Sequence, residues 1–212
     1  LAAAFLILMW AMDELSYERF NEQIGRIYMV NLVQHYTEGD FRAPVTPHPC
    51  APVWREQIPA IEEAVRIVRQ NNLLLRVGEN AFYEPRIIAA DSTLFSVFSH
   101  HVLQGDVKAA MRHPHAIVLT EKLARKYFGT EDPLGKTIEL DNTTLFTVEA
   151  VIANLPQNTR LKYEAIIPYA YLTETGQNTD NWGFNTILTF VLLKPSSDIQ
   201  EVNLQMTNIV HQ

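Results

Sequence analysis

The chain begins with twelve apolar residues, 1–12, that carry no charge and are followed at once by Asp13 and Glu14. No basic stretch precedes this run and no small-residue cleavage site follows it, which argues against a secretory signal. The run is apolar all round, whereas a helix on the surface of a domain has a polar face. Because a membrane-spanning helix needs about 20 apolar residues, we expect residues 1–12 to be the end of a longer transmembrane helix. A core helix of an ordinary domain is the alternative.

The composition permits one domain or two small ones. The 212 residues are 47% hydrophobic, which is ordinary for a globular protein and sufficient for a core. The net charge of −7 and the absence of a run of basic residues exclude a surface that follows nucleic-acid phosphates. The single cysteine, Cys50, excludes an internal disulfide and a cysteine zinc cage, and we expect it to be a half-buried structural residue.

The first part of the chain predicts helix, then strands. Apolar residues at helical spacing from Tyr17 to Ile27 predict that the first helix continues on one face of a domain, with a break at Gly25. Residues 26–36 are apolar on both faces and predict one buried strand. Prolines in residues 41–52 predict a loop, followed by a helix over 51–57. Residues 64–90 predict strands that turn at 70–72 and 78–80, and Asp91 is the expected cap of a short helix.

The second part predicts a strand and helix near 116–128, with Thr120 as the cap and Gly129 as the stop. A hairpin is expected about Asp141 and Asn142. Residues 172–185 contain turn formers without periodicity and predict an exposed loop, which Trp182 anchors to the domain. A strand ending at Pro195 and a final helix follow, with Ser197 and Gln200 matching a capping box.

The chemistry-bearing residues do not form a recognisable catalytic motif. His100, His101, His113 and His115 are the candidate ligands for a metal-dependent hydrolase, but no H-E-x-x-H spacing accompanies them. No G-x-S-x-G elbow and no phosphate-binding G-x-x-x-x-G-K-[ST] loop occurs. The sequence therefore predicts no catalytic, cofactor-binding or metal-binding residue, and no cofactor.

Three stretches carry a family resemblance. DELSYERFNEQIGRIYMV (13–30) resembles the segment after the first transmembrane helix of MacB-like and FtsX-like ABC transporter permeases, in the Bacteroidetes-type form. AIVLTEKLARKYFGTEDPLGKTIEL (116–140) and FTVEAVIANLPQNTRLKYEAIIP (146–168) resemble the helix, D-P-x-G-K turn and hairpin of the MacB-like periplasmic core domain. NWGFNTILTFVLLKP (181–195) is similar to the strand that returns toward the second transmembrane helix.

The resemblance implies an α+β fold with two lobes, preceded by the end of a transmembrane helix. Residues 1–25 would form the helix end and a juxtamembrane helix. A porter-like α+β lobe would comprise 26–106 and 185–212, and a Sabre-like lobe, 107–184, would be inserted in it. The domain would lie on the periplasmic side of the inner membrane, and the chain would not be an enzyme.

The resemblance also implies partners. They are a cytoplasmic ABC ATPase subunit, a second permease copy, and an envelope or periplasmic protein or substrate on which ATP-driven movement acts. The exposed loop, with Thr173, Asn178, Asp180 and Trp182, is a candidate partner contact. The alternatives are a single-anchor envelope interaction module and a membrane-anchored metal-dependent hydrolase.

Overall fold

The computed structural model describes residues 5, 7, 9, 16–37, 39–177 and 179–210, and for His35 the backbone alone. Most of the predicted transmembrane segment, 1–12, therefore lies outside the described residues. Phe5, Ile7 and Met9 are helical and their side chains are more than half exposed. Within the described part of the chain, no helix is both long enough and apolar enough to cross a membrane.

Short strands and a few helices make up the domain. The strands are β1 (Ile27–Met29), β2 (Leu32–Tyr36), β3 (Gly39–Ala43), β4 (Thr46–Pro47), β5 (Ile61–Gln70), β6 (Leu73–Val77), β7 (Asn80–Glu84), β8 (Ile87–Ala90), β9 (Val102–Gly105), β10 (Ala116–Thr120), β11 (Thr137–Leu140), β12 (Thr144–Ile152), β13 (Ala165–Pro168) and β14 (Asn185–Leu193). The helices are α1 (Cys50–Gln57), α2 (Leu94–Val97), α3 (Val107–Ala110), α4 (Glu121–Phe128), α5 (Tyr169–Glu174) and α6 (Ile199–Val210), with a short 3-10 helix at Ile24–Arg26.

One twelve-stranded sheet organises the molecule, in the order β1-β14-β5-β8-β13-β10-β12-β11-β6-β7, with β4 beside β14 and β9 beside β12. The pairs β8–β13 and β10–β12 are parallel, and the other pairs of this sheet are antiparallel. Strands β2 and β3 form a separate two-stranded hairpin. The predicted α+β class is confirmed.

The core lies on both faces of the sheet, because neighbouring strand residues point to opposite sides. In β13, Ile166 belongs to one apolar cluster, while Ala165 and Ile167 belong to another. Helices α2 and α3 contribute to the first cluster and α4 and α5 to the second. A third cluster packs α1 and α6 against β5 and β14.

Several predicted elements are confirmed. Helix α4 begins after Thr120, whose Oγ1 accepts the Leu123 N–H, and ends at Gly129, where φ is +62°. The hairpin between β11 and β12 turns at Asp141 and Asn142, with φ of 47° and 55°. Both turn residues can adopt this left-handed conformation at low cost, because a short polar side chain tolerates it.

Other local predictions are wrong. Residues 26–36 are not one buried strand: β1 ends at Met29, β2 begins at Leu32, and Val33 and Tyr36 are exposed. Asp91 does not cap α2, because its carboxylate binds Arg66 instead. The capping box predicted for Ser197 and Gln200 at the start of α6 does not form. The Gln200 N–H donates to the Asp198 carboxylate, and the Ser197 hydroxyl donates to the Lys194 carbonyl.

Candidate functional site

The segment after the apolar run is folded onto the domain through Glu18. Its backbone is left-handed, with φ of 59°, and its N–H donates to the Asn158 carbonyl at 3.0 Å. Its carboxylate accepts the Arg160 N–H at 2.6 Å, the Thr159 hydroxyl at 2.9 Å and the Asn21 side-chain amide at 3.1 Å. Residues 17–20 consequently form turns rather than the predicted continuous helix.

Further hydrogen bonds fasten the same segment to two loops. The Asn158 amide donates to the Ser16 carbonyl at 2.8 Å. Asn21, which is 1% exposed, accepts the Ser99 N–H at 3.0 Å through its side-chain oxygen. The Glu22 N–H donates to the Ser99 hydroxyl at 3.0 Å. We call the contacts of Ser16, Glu18 and Asn21 with Ser99 and residues 158–160 the clamp.

Arg26 joins the same segment to two strands of the sheet, β5 and β14. Its guanidinium donates to Glu62 of β5 at 2.5 Å and to the Leu193 carbonyl, where β14 ends, at 2.8 Å. The segment that enters the domain is thereby joined to the strand that leads to α6.

A neutral pair lies beneath the clamp. His100 donates its Nδ1–H to the Phe98 carbonyl at 2.9 Å, so Nε2 is the acceptor for the buried Tyr163 hydroxyl. Burial lowers the pKa of His100 to about 4. Burial, and next to it the Glu18 carboxylate, raise the pKa of Tyr163. Both side chains are uncharged at neutral pH, as a site with few compensating charges requires.

A second polar group surrounds Arg66 of β5. Its guanidinium binds Asp91 through two hydrogen bonds, at 2.9 and 2.8 Å, and its Cζ lies 3.6 Å from the ring centroid of Tyr169. The Tyr169 hydroxyl contacts Nδ1 of buried His48. Burial, followed by the charge of Arg66, lowers the pKa of His48. Burial raises the pKa of Tyr169 to about 12.

The predicted contact loop begins beside this group. A cleft of about 570 Å³ is lined by Arg66, Asp91, Met111, Tyr169, Thr173 and Glu174. Thr173 lies on α5. Burial lowers the pKa of Arg66, but the hydrogen bond and charge of Asp91 outweigh burial and raise it, with a smaller contribution from Asp180. Asn178 lies outside the described residues. Trp182 is 42% exposed, so more than half of its surface is covered, and neighbouring Phe184 is 60% exposed. The anchoring role of Trp182 stays a prediction.

The candidate metal-binding histidines are held by separate partners. His113 contacts Glu149 at 2.9 Å and His115 contacts Glu174 at 2.9 Å. His100 pairs with Tyr163, and His101 is exposed. Across the part of the chain that is described, no three His, Cys, Asp or Glu side chains are placed to hold a metal ion.

Sequence reasoning missed the clamp and the Arg66 group, although one signal for the clamp was present. Glu18 lies in the first family-like stretch, 13–30, and Asn158, Thr159 and Arg160 lie in the second, 146–168. Two stretches that both resemble the same family can do so because they contact each other in the fold. No comparable pattern connected Arg66 with Asp91, Tyr169 and His48.

The fold is similar to that of solved domains from a permease and from ABC-type transporters. A domain of a protein assigned as a permease from Porphyromonas gingivalis superposes with a TM-score of 0.79 at 24% identity, over 92% of this chain and 85% of that one. The periplasmic region of MacB from Actinobacillus actinomycetemcomitans gives a TM-score of 0.61 at 18% identity, over 78% and 72%. The extracellular domain of the noncanonic ABC-type transporter YknZ from Gram-positive bacteria gives 0.60 at 15%, over 79% and 83%.

The family follows from the sequence. The family model for the MacB-like periplasmic core domain matches residues 1–209. The chain therefore belongs to the MacB-like periplasmic core domain family, which confirms the resemblance seen in the three stretches. A comparison with curated protein sequences gives no match.

Proposed function

We propose that the chain is the extracytoplasmic domain of a MacB/FtsX-type ABC transporter permease. It couples ATP hydrolysis by a cytoplasmic partner subunit to mechanical work or export on envelope partners or substrates. The domain lies on the periplasmic side of the inner membrane, beside a second permease copy, and catalyses no reaction itself. The division into a porter-like lobe (26–106 and 185–212) and a Sabre-like lobe (107–184) belongs to the same proposal.

The clamp is the observation that supports coupling. A transmembrane helix can move a domain only if the connection between them does not extend first. Here the connecting residues are fixed by hydrogen bonds, since Glu18 accepts the Arg160 N–H, Asn21 accepts the Ser99 N–H and Ser16 accepts the Asn158 amide. Arg26 joins the same segment to β5 and β14. Thr159 and Asn21 are almost fully buried, so water competes poorly for these bonds. The exposed apolar residues Phe5, Ile7 and Met9 support a lipid environment before the clamp.

The first test is made on the product of the complete gene. We expect it to remain in the membrane fraction after alkaline carbonate extraction and to purify together with an ABC ATPase. A product that carbonate releases, or one that purifies with no ATPase, would contradict the proposal. A product with one membrane anchor and no further transmembrane helix would identify the single-anchor interaction module instead.

The second test separates coupling from assembly. Glu18→Gln in the complete protein should retain the ATPase partner, because the substitution lies outside the membrane, yet lose the transport-dependent phenotype. Glu22→Gln is the matched control, because the Glu22 side chain is exposed and only its backbone N–H contacts Ser99. If the Glu18→Gln protein folds and transports normally, the clamp does not couple ATP hydrolysis to movement of the domain.

The contact loop remains a proposed partner surface. Trp182 and Phe184 present aromatic area to solvent, and aromatic residues are enriched where proteins bind each other. Trp182→Ala should weaken capture of the envelope partner in a crosslinking assay. Tyr83→Ala on β7 is the control, because Tyr83 is 70% exposed and lies on an edge strand of the sheet. Equal capture by both variants would remove the loop from the proposed interface.

A further inference from the structure

Two adjoining clefts beside the clamp are lined in part by basic side chains, and Lys162 belongs to both. One has a volume of about 310 Å³ and is lined by Arg86, Lys122, Lys162 and Glu164. The other, of about 430 Å³, is lined by Ser16, Tyr17 and Lys162. Gln157 and Lys162 line both, so the two clefts adjoin each other at these residues. We call them together the basic cleft.

Positive charge exceeds negative charge in the basic cleft. Its single carboxylate, Glu164, lies 2.7 Å from the Lys122 ammonium and 3.4 Å from the Arg86 guanidinium. Within the described residues Lys162 forms no ion pair, and its side chain is exposed. Three cations therefore face one anion, in a chain whose net charge is −7. Such a local excess of positive charge attracts an anionic group.

The position of the basic cleft limits what that anion can be. Ser16 and Tyr17 line it, and only residues 13–15 separate Ser16 from the apolar run. A trans chain spans at most about 3.6 Å per residue, so Ser16 lies within about 14 Å of Met12. If residues 1–12 end in the bilayer, as the proposed function requires, the basic cleft lies at the height of the lipid headgroups or just above them.

We propose that the basic cleft binds the headgroup phosphate of an anionic phospholipid. Lys122 and Lys162 supply ammonium groups, Arg86 supplies a guanidinium, and the side chains of Asn154 and Gln157 add polar groups on the same wall. Ammonium and guanidinium groups bind phosphate oxygens through charge-assisted hydrogen bonds. The acyl chains stay in the bilayer, so the bound lipid holds residues 157–162, one side of the clamp, at the membrane surface.

The test uses the full 212-residue chain and sedimentation with vesicles of phosphatidylcholine, with and without phosphatidylglycerol. We expect tighter binding to the anionic vesicles, weakened by salt because the contact is electrostatic. Each basic residue at an anionic surface contributes about fivefold to binding. The double variant Lys122→Gln/Lys162→Gln should therefore lose roughly 25-fold on anionic vesicles and nothing on neutral ones.

The control removes the same charge elsewhere. Lys108→Gln/Arg112→Gln changes two exposed cations near the start of β10, whereas the basic cleft adjoins its end at Thr120. This control should keep the preference for anionic vesicles. An equal loss in both double variants would assign the preference to overall charge and overturn the proposal. Equal binding of both vesicle types by the unchanged chain would also overturn it.

Two further results separate the lipid from other sources and from the proposed function. Inorganic phosphate that perturbs the backbone amides of residues 157–162 in solution, without any vesicle preference, would make the ligand a soluble phosphate and reject the lipid. Binding to neutral vesicles measures the contribution of the apolar run, 1–12, and not that of the basic cleft. A complete protein that passes the carbonate test but shows no effect of Lys122→Gln/Lys162→Gln would keep the permease assignment and discard the lipid site.

Discussion

The left-handed backbone conformation of Glu18 costs about 1 kcal/mol. The interactions of its side chain must offset this cost. Its carboxylate accepts a backbone N–H, a hydroxyl and an amide, from Arg160, Thr159 and Asn21. We expect Glu18→Gln to lower the free energy of unfolding by about 2 kcal/mol, because hydrogen bonds to a charged acceptor are lost. Urea unfolding of the isolated chain measures this change.

A double-mutant cycle tests whether the contact itself is responsible. Glu18→Gln and Thr159→Val should couple by on the order of 1 kcal/mol, because each removes one side of the same hydrogen bond. Glu22→Gln should change stability by less than about 0.5 kcal/mol, as surface substitutions usually do. Additive effects of the first two substitutions would show that the hydrogen bond between Glu18 and Thr159 does not contribute to stability.

His100 makes stability depend on pH. Its pKa is about 4 in the folded chain, because of burial, and about 6.5 when unfolded. The unfolded state therefore binds more protons between these values, and stability falls as the pH drops from about 6.5 toward about 4. Between about pH 7.5 and about pH 5 the loss from this residue should be about 2 kcal/mol. His48, whose pKa is also lowered, acts in the same direction.

Urea titrations at both pH values measure the effect of His100. His100→Gln keeps a side chain that can hydrogen-bond to Tyr163 but cannot titrate, so the variant should lose about 2 kcal/mol less on acidification. His101→Gln is the control, because His101 is exposed. An identical pH response of the His100→Gln variant and the unchanged chain would show that His100 is not the titrating group.

At the scale of elements, β9 depends on one glycine. Gly105 has φ of +76°, and a Cβ at this position would lie 2.1 Å from the Glu149 carbonyl oxygen and 2.9 Å from the Ala150 Cα. Both atoms belong to the backbone of β12, which pairs with β9 and cannot move aside alone. Gly105→Ala should therefore cost about 3 kcal/mol, through the unfavourable φ and the overpacking together.

Two other glycines separate these contributions. Gly78 has φ of +56° but open space around it, so Gly78→Ala should cost about 1 kcal/mol. Gly25 has neither feature, and Gly25→Ala should be neutral or slightly stabilising. Thermal unfolding of the three variants gives the order. A Gly105→Ala protein no less stable than Gly78→Ala would mean that β9 separates readily from β12.

The elements that the sequence predicted are those whose cause is local. Helix α4 and the turn at Asp141 follow from residues within a few positions of each other. The predicted cap at Asp91 failed because Arg66, 25 positions away, offers two charge-assisted hydrogen bonds. The clamp has the same origin, since Glu18 and Arg160 are 142 positions apart. Spacing patterns describe one element at a time and carry no information on such contacts.

At the scale of the whole molecule, the proposed two lobes share a sheet and a core. The pairs β8–β13, β6–β11 and β9–β12 each join a strand of 26–106 to a strand of 107–184. The two large apolar clusters also take residues from both parts, such as Leu75 with Ile138 in one of them and Ile67 with Val118 in the other. Because each large apolar cluster needs residues from both segments, neither lobe has a complete core of its own. We therefore expect the lobes to unfold together.

Single-tryptophan variants test this cooperativity. Retaining Trp54 alone reports on 26–106, and retaining Trp182 alone reports on 107–184; Phe replaces the other tryptophans. Both urea transitions should coincide, as in a two-state protein. Ile138→Ala, at a fully buried position of β11, should lower stability by about 3 kcal/mol and shift both transitions equally. A shift seen only through Trp182 would instead make the inserted lobe an independent folding unit.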